Sequence, residues 1–188
     1  MLSPIHDVLS ATGLDAVVVV PGANFRRVFA RDFHQMERPL AVIVPRNGEP
    51  VAVVPNLEMG SFTPIGFPGQ VFDWRDEVGY MGAFMAAGAA LPQLRSGSRI
   101  GVEGQRMRVF DLFALQTALP GAEFVDAHAA ISRLRLHKTD TELELQRKAI
   151  RLSEAALEAT LQELRVGMTE TEIEGILLRN LFSHGADG

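Results

Sequence analysis

Cysteine is absent from these 188 residues. That excludes disulfides, thiolate metal sites and cysteine nucleophiles, and it suits a reducing compartment, so a cytoplasmic location is expected. Lysine is nearly absent too: among eighteen basic residues only Lys138 and Lys148 are lysine. The arginines are scattered rather than clustered, and the formal net charge is -5. No nucleic-acid partner is therefore expected. Long apolar runs are also missing. Ala16 to Val20 is far too short to span a bilayer, and Met1-Leu-Ser-Pro-Ile-His-Asp has neither the basic start nor the apolar stretch of a signal peptide. No membrane partner is expected. There is no GxGxxG, P-loop or GxSxG motif, so nucleotide binding and serine hydrolysis have no support. The five histidines, at 6, 34, 128, 137 and 184, form no HExxH motif or close pair. No self-contained zinc site is expected from these residues.

What is present is an ordinary globular composition, 47% hydrophobic and 22% charged, with enough residues for one full domain and part of another. Residues 3–12 read as a helix, with Ser3 as N-cap, Pro4 in the first turn and Gly13 as the stop. Asp15 to Val20 is a β-branched run of the kind buried on both faces of a sheet. Pro21 to Asn24 reads as a loop, and Phe25 to Pro39 has no clean period. Leu40–Val44 and Val51–Val54 flank Asn47-Gly48, which is a hairpin signal. Residues 55–70, rich in Gly and Pro, read as a long irregular loop. Val71–Trp74 is a short strand, Val78–Leu94 a helix, Arg99–Glu103 a strand, Arg108–Leu119 a helix and Glu123–Val125 a strand. Residues 1–130 thus alternate helix and strand around one hairpin, an α/β domain with a mixed sheet.

The pattern changes at Thr139. Thr139-x-x-Glu142 has capping-box spacing, and a long helix is expected to about Leu164, with Gly167 as its stop. Leu143, Ile150, Leu157, Leu161 and Leu164 share one face, and Leu145, Ala149, Leu152 and Ala156 a neighbouring one. Thr169-x-x-Glu172 repeats the capping box before a second helix, with Ile173, Ile176, Leu177 and Leu181 on one stripe. Ser183 to Gly188 reads as a turn. Two polar groups merit attention. Asp126 and His128 share a face at a strand end, where a solvated junction is the plainer reading. Arg26, Arg27, Arg31 and Arg38 form a group suited to a carboxylate, against the plainer reading of surface ion pairs.

The junction Ser132-Arg-Leu-Arg135-x-x-Lys138-Thr-Asp-x-Glu142-Leu-Glu-Leu-x-x-x-Ala149, with Gly167-Met-Thr169-Glu-x-Glu172-Ile, resembles that of the creatinase/prolidase/aminopeptidase P family. Glu37-Arg38-Pro39 through Pro55-Asn-Leu-Glu58 resembles that family's N-terminal hairpin. Asn24 is followed by Arg27-Val-Phe-Ala30, which lacks the Tyr and Gly of the family's Asn-x-x-Tyr-Leu-Thr-Gly segment. The resemblance implies a creatinase-like, ribonuclease-H-like α/β domain over 1–131. It also implies that residues 132–188 are the junction and first two helices of an incomplete pita-bread catalytic domain.

The same resemblance implies a Xaa-Pro peptidase, of dipeptidase or aminopeptidase P type, that cleaves the bond before proline. Two divalent metal ions, manganese or cobalt, would serve it, with ligands downstream of residues like Ser183 to Gly188. The chain is expected to be an inactive fragment that contributes dimerisation and active-site closure in a homodimer. Arg38 and His34 are the expected substrate-binding residues. The alternatives are a non-catalytic peptide- or protein-binding module of the same fold and a creatinase-type hydrolase. The apolar stripe of the second helix is expected to pack against another chain, fold back or lack order.

Overall fold

The computed structural model describes residues 1–187 and divides the chain into two compact units, Met1–Leu136 and His137–Gly188. The first is built on a six-stranded mixed sheet: β1 (Ala16–Val19), β2 (Ala41–Pro45), β3 (Val51–Pro55), β4 (Gln70–Trp74), β5 (Arg99–Val102) and β6 (Glu123–Asp126). Their order across the sheet is β4-β3-β2-β1-β5-β6. β1 and β2 are antiparallel, as are β2 and β3, while β3–β4, β1–β5 and β5–β6 are parallel. The helices of this unit are α1 (Ser3–Thr12), α2 (Ala23–Phe29), α3 (Met59–Phe62), α4 (Met81–Ala89), α5 (Val109–Ala118) and α6 (His128–Ser132).

Successive strand side chains point to opposite faces, and the β1 run divides accordingly. Val17 and Val19 join one core with α1, Phe25 of α2, Phe62 of α3 and Ile131 of α6. Ala16 and Val18 join the other, with Phe84 of α4 and Leu115 of α5. Helices therefore cover both faces, which is why the central strands are apolar without alternation. Asn47-Gly48 closes the β2–β3 hairpin, as its spacing predicts. Gly88 is required by close approach: a Cβ there would lie 2.2 Å from the Ala118 carbonyl oxygen where α4 meets α5.

Several local expectations are corrected. α1 starts at Ser3 itself, with Leu2 in the cap position and no side-chain cap. Ala23 to Phe29, expected to begin in a loop, is helical. Five phenylalanines, 25, 29, 67, 62 and 33, form a closed circuit of ring contacts at 4.5 to 6.2 Å. Burial of these rings, rather than a helical repeat, organises that stretch. The expected irregular loop at 55–70 is the 3-10 turn Asn56–Glu58, α3 and the 3-10 turn Thr63–Ile65, anchored by buried Phe62. The helix expected over Val78–Leu94 is confined to α4, because Val78 and Gly79 turn back onto the Arg75 carbonyl. α6 and the 3-10 turn Arg133–Arg135 belong to the first unit, where Ile131 is fully buried.

The second unit is a helical hairpin, α7 (Asp140–Glu163) and α8 (Glu170–Ser183). Both predicted capping boxes are formed: Thr139 and Thr169 accept from the N–H of Glu142 and Glu172, whose carboxylates accept back from the threonine N–H groups. Gly167 does not cap α7, which ends at Glu163 with Leu164 already extended. It instead takes the positive-φ position of the turn closed by Met168 N–H to Arg165 O, at φ 96°. Ile173, Ile176, Leu177 and Leu181 are half-buried as α8 packs on α7. His184 and Gly185 form a turn, and Gly188 of the expected turn lies outside the described residues.

Candidate functional site

Two polar centres stand out in the first unit. One lies at the carboxyl ends of the parallel neighbours β1 and β5, the edge where α/β sheets tend to carry ligands. Glu103, directly after β5, is only 1% exposed. Its Oε2 accepts the N–H of Val20 at 2.9 Å, and its Oε1 accepts from Asn24 Nδ2 at 2.8 Å. Asn24 Oδ1 in turn accepts from Arg135 Nε at 2.6 Å, which fixes the orientation of the amide. Burial pushes the Glu103 carboxyl above the usual glutamate range, against the two hydrogen bonds and the nearby His128 and Arg106.

Beside this network His128 opens α6. Its Nε2 meets Ser132 Oγ at 3.2 Å, and its Nδ1 is buried with no hydrogen-bond partner. Asp126 Oδ1 accepts the N–H groups of Gly104 and His128, so Asp126 and His128 form a strand-to-helix turn rather than a paired site.

The second centre is Arg38. Its Nε donates to Asp76 Oδ1 and Oδ2 at 2.9 and 3.1 Å, its Nη2 to Asp76 Oδ2 at 2.5 Å, and its Nη1 to Glu37 Oε1 at 2.5 Å. The hydrogen bond to Asp76 raises the guanidinium pKa further and holds the Asp76 carboxyl below its usual range. A cleft of about 270 Å³ opens here, lined by Arg38, Trp74, Asp76, Asn56, Leu57 and Arg75. His34 is not in it. It lines a separate depression of about 450 Å³ with Arg26, Asp32, Gln35 and Arg106. The arginine group of the sequence is dispersed likewise: Arg26 faces Asp32 at 3.8 Å, and Arg27 donates to the Leu134 carbonyl.

The carboxylates of the described residues are not grouped as a dinuclear metal centre needs. Among the described residues no three His, Asp or Glu side chains are placed to share an ion. Several carboxylates are already engaged: Asp76 by Arg38, Glu103 by Val20 and Asn24, Glu163 by Arg179 and Asn180, and Glu172 by its cap.

A mixed α/β sheet unit followed by a capped helical pair is thus the class this chain defines. Residues 2–137 match the Creatinase/Prolidase N-terminal domain, and the chain belongs to that family. It is 26% identical over 151 residues to an uncharacterized peptidase of Staphylococcus saprophyticus, covering 80% of this chain and 41% of that protein. It is 26% identical over 176 residues to the creatinase of a Bacillus species, covering 90% of this chain and 41% of that protein. The solved prolidase of Thermococcus sibiricus superposes with a TM-score of 0.83 at 19% identity, over 98% of this chain and 50% of that one. The chain therefore spans about half the length of these relatives. No helix among the described residues is long and apolar enough to cross a membrane.

Proposed function

We propose that this chain is the amino-terminal part of a Xaa-Pro peptidase of dipeptidase or aminopeptidase P type. The observation that carries the reading is the reach of the likeness: the N-terminal family covers residues 2–137, and the prolidase shape covers 98% of the chain, helical pair included. In this reading the protein is a cytoplasmic homodimer acting on proline-containing peptides, and the chain contributes dimerisation and closure of the active site. Two divalent ions, manganese or cobalt, would supply an activated water. In this reading their ligands belong to the rest of the protein.

Arg38 is the substrate contact in this reading, since a guanidinium fork suits a carboxylate, and His34, which lines a separate depression, is the second residue the reading names. Manganese-dependent hydrolysis of Xaa-Pro dipeptides by the full-length protein is the direct test. The 188-residue chain alone should give no turnover, and metal-dependent turnover by it would overturn the assignment of the metal site to the rest of the protein. Replacing Arg38 by Ala in the full-length protein should lower kcat/KM, and an unchanged value would remove Arg38 from the site. The Bacillus creatinase, matched over 90% of this chain, favours one second reading. Hydrolysis of creatine, with no activity on Xaa-Pro dipeptides, would establish it.

A further inference from the structure

We propose that Asp76 and Glu37 divide the Arg38 guanidinium between them: Asp76 is a positioning residue that presents it, and Glu37 is a displaceable stand-in for the carboxylate of a small ligand. This rests on the reading of Arg38 as a substrate contact.

A guanidinium offers two edges that can take a carboxylate with paired hydrogen bonds. The Nε/Nη2 edge of Arg38 is filled by both oxygens of Asp76. The Nη1 end meets one oxygen of Glu37. Both acids are exposed, Asp76 at 58% and Glu37 at 65%, and they differ in how they engage the arginine: Asp76 with two oxygens on one edge, Glu37 with one. Asp76 lies just beyond β4, two residues after Trp74, which is 7% exposed and donates its indole N–H to the Pro39 carbonyl at 3.2 Å. Arg108, locked in a paired contact with buried Asp111, donates to the Arg38 carbonyl at 3.3 Å. The backbone at residues 38–39 is thus held from both β4 and α5, and Asp76 aims the side chain from the β4 side.

Among the described residues Glu37 meets the guanidinium through a single oxygen, and its ion pair is with its own sequence neighbour. A contact of that kind is worth little in water. An incoming carboxylate can exchange one oxygen on Nη1 for two across the Nη1/Nη2 edge, while Asp76 keeps the other edge and the aim. The cleft of about 270 Å³ beside Arg38 brings Trp74 and Leu57 alongside a charged end. The ligand class is a small carboxylate with an apolar neighbour, such as the C-terminal end of a short peptide.

The 188-residue chain allows a binding test that does not depend on turnover. The Arg38 Nε–Hε resonance is followed by NMR while acetate, and separately glycyl-proline, is added. Glu37→Gln should tighten binding about twofold to fivefold, the span of an exposed ion pair. Asp76→Asn should weaken it and broaden the Nε–Hε signal, and Asp76→Glu should restore part of both. Dispersed amide spectra verify that each variant is folded. In the full-length protein Glu37→Gln should lower KM more than it changes kcat, and Asp76→Asn should raise KM. Unchanged binding in Glu37→Gln, or wild-type binding and linewidth in Asp76→Asn, would overturn the division of roles. If Arg38→Ala itself changes neither binding nor kcat/KM, the reading of Arg38 fails instead. If Arg38→Ala impairs both while the two acidic variants are silent, only the present inference fails.

Discussion

In the first unit β1, β2 and β3 are buried along their whole length. In the second, α7 runs for 24 residues and buries only Ala156 and Thr160. Leu145, Ile150, Leu157 and Leu161 stand 50% to 61% exposed. The difference follows from cover. A sheet with helices on both faces removes nearly all of its apolar surface from water, whereas two helices shield only the seam between them. That seam is partly polar: Asn180 Nδ2 donates to Thr160 Oγ1 and to Glu163 Oε1, both at 3.1 Å, and Arg179 pairs with Glu163. Stability should therefore reside in packing in the first unit and in caps and seam hydrogen bonds in the second.

The largest effect expected from this contrast is in the core. Phe84, fully buried between α4 and the sheet, should cost about 3–5 kcal/mol on replacement by Ala. Leu145→Ala, at a position 61% exposed, should stay within about 0.5 kcal/mol. Denaturant melts followed by the fluorescence of Trp74, the single tryptophan, report on the first unit, and far-UV circular dichroism reports on the helices of both. Equal costs at the two positions would erase the distinction.

Next in size is Glu103→Gln. Val20 N–H and the pinned Asn24 amide both donate to this side chain. A glutamine would turn its own NH₂ toward one of those donors, for an expected loss of about 1–3 kcal/mol. The pH dependence sharpens the point. Because burial raises the folded pKa, the folded state keeps the Glu103 proton to higher pH than the unfolded chain does. Its contribution is complete below the ordinary glutamate value and is lost as pH rises through the raised one. The difference in stability between wild type and Glu103→Gln should shrink over that window, and a constant difference would show that Glu103 does not titrate there.

In the second unit Thr169→Ala should cost about 1 kcal/mol by removing the cap on α8. Loss of helical signal, with the Trp74 transition unmoved, would separate the two units. The last change is a gain. Ala30 holds φ 52° at the end of α2, the one non-glycine residue with positive φ among those described. A glycine there should stabilise the first unit by up to about 1 kcal/mol, the left-handed penalty less the entropy glycine loses on folding. The midpoint of the Trp74 transition measures it.

Ala30 also shows how much could be read in advance. Its departure from the Asn-x-x-Tyr-Leu-Thr-Gly pattern that the resemblance implied was visible in the sequence, but the left-handed backbone at that position was not. The valine run of β1, the Asn47-Gly48 hairpin and both capping boxes were legible because each acts within a few residues. The phenylalanine circuit was not, because its members follow no single period. Arg38 was named from the junction and hairpin resemblance, while its partner Asp76 lies 38 residues away and carried no signal. His34, named beside Arg38, faces a different depression.

The sequence by itself determined which segments are strands and helices over most of the chain, where the two long helices start, and the family to which the chain belongs. Those features depend on local period, caps and turn residues. Only the tertiary structure decided which charges meet. Glu103 reaches Asn24 across 79 positions, and Asn24 reaches Arg135 across 111. Such partners are set by strand order, which places the ends of β1 and β5 side by side, and no periodicity along the chain encodes that adjacency.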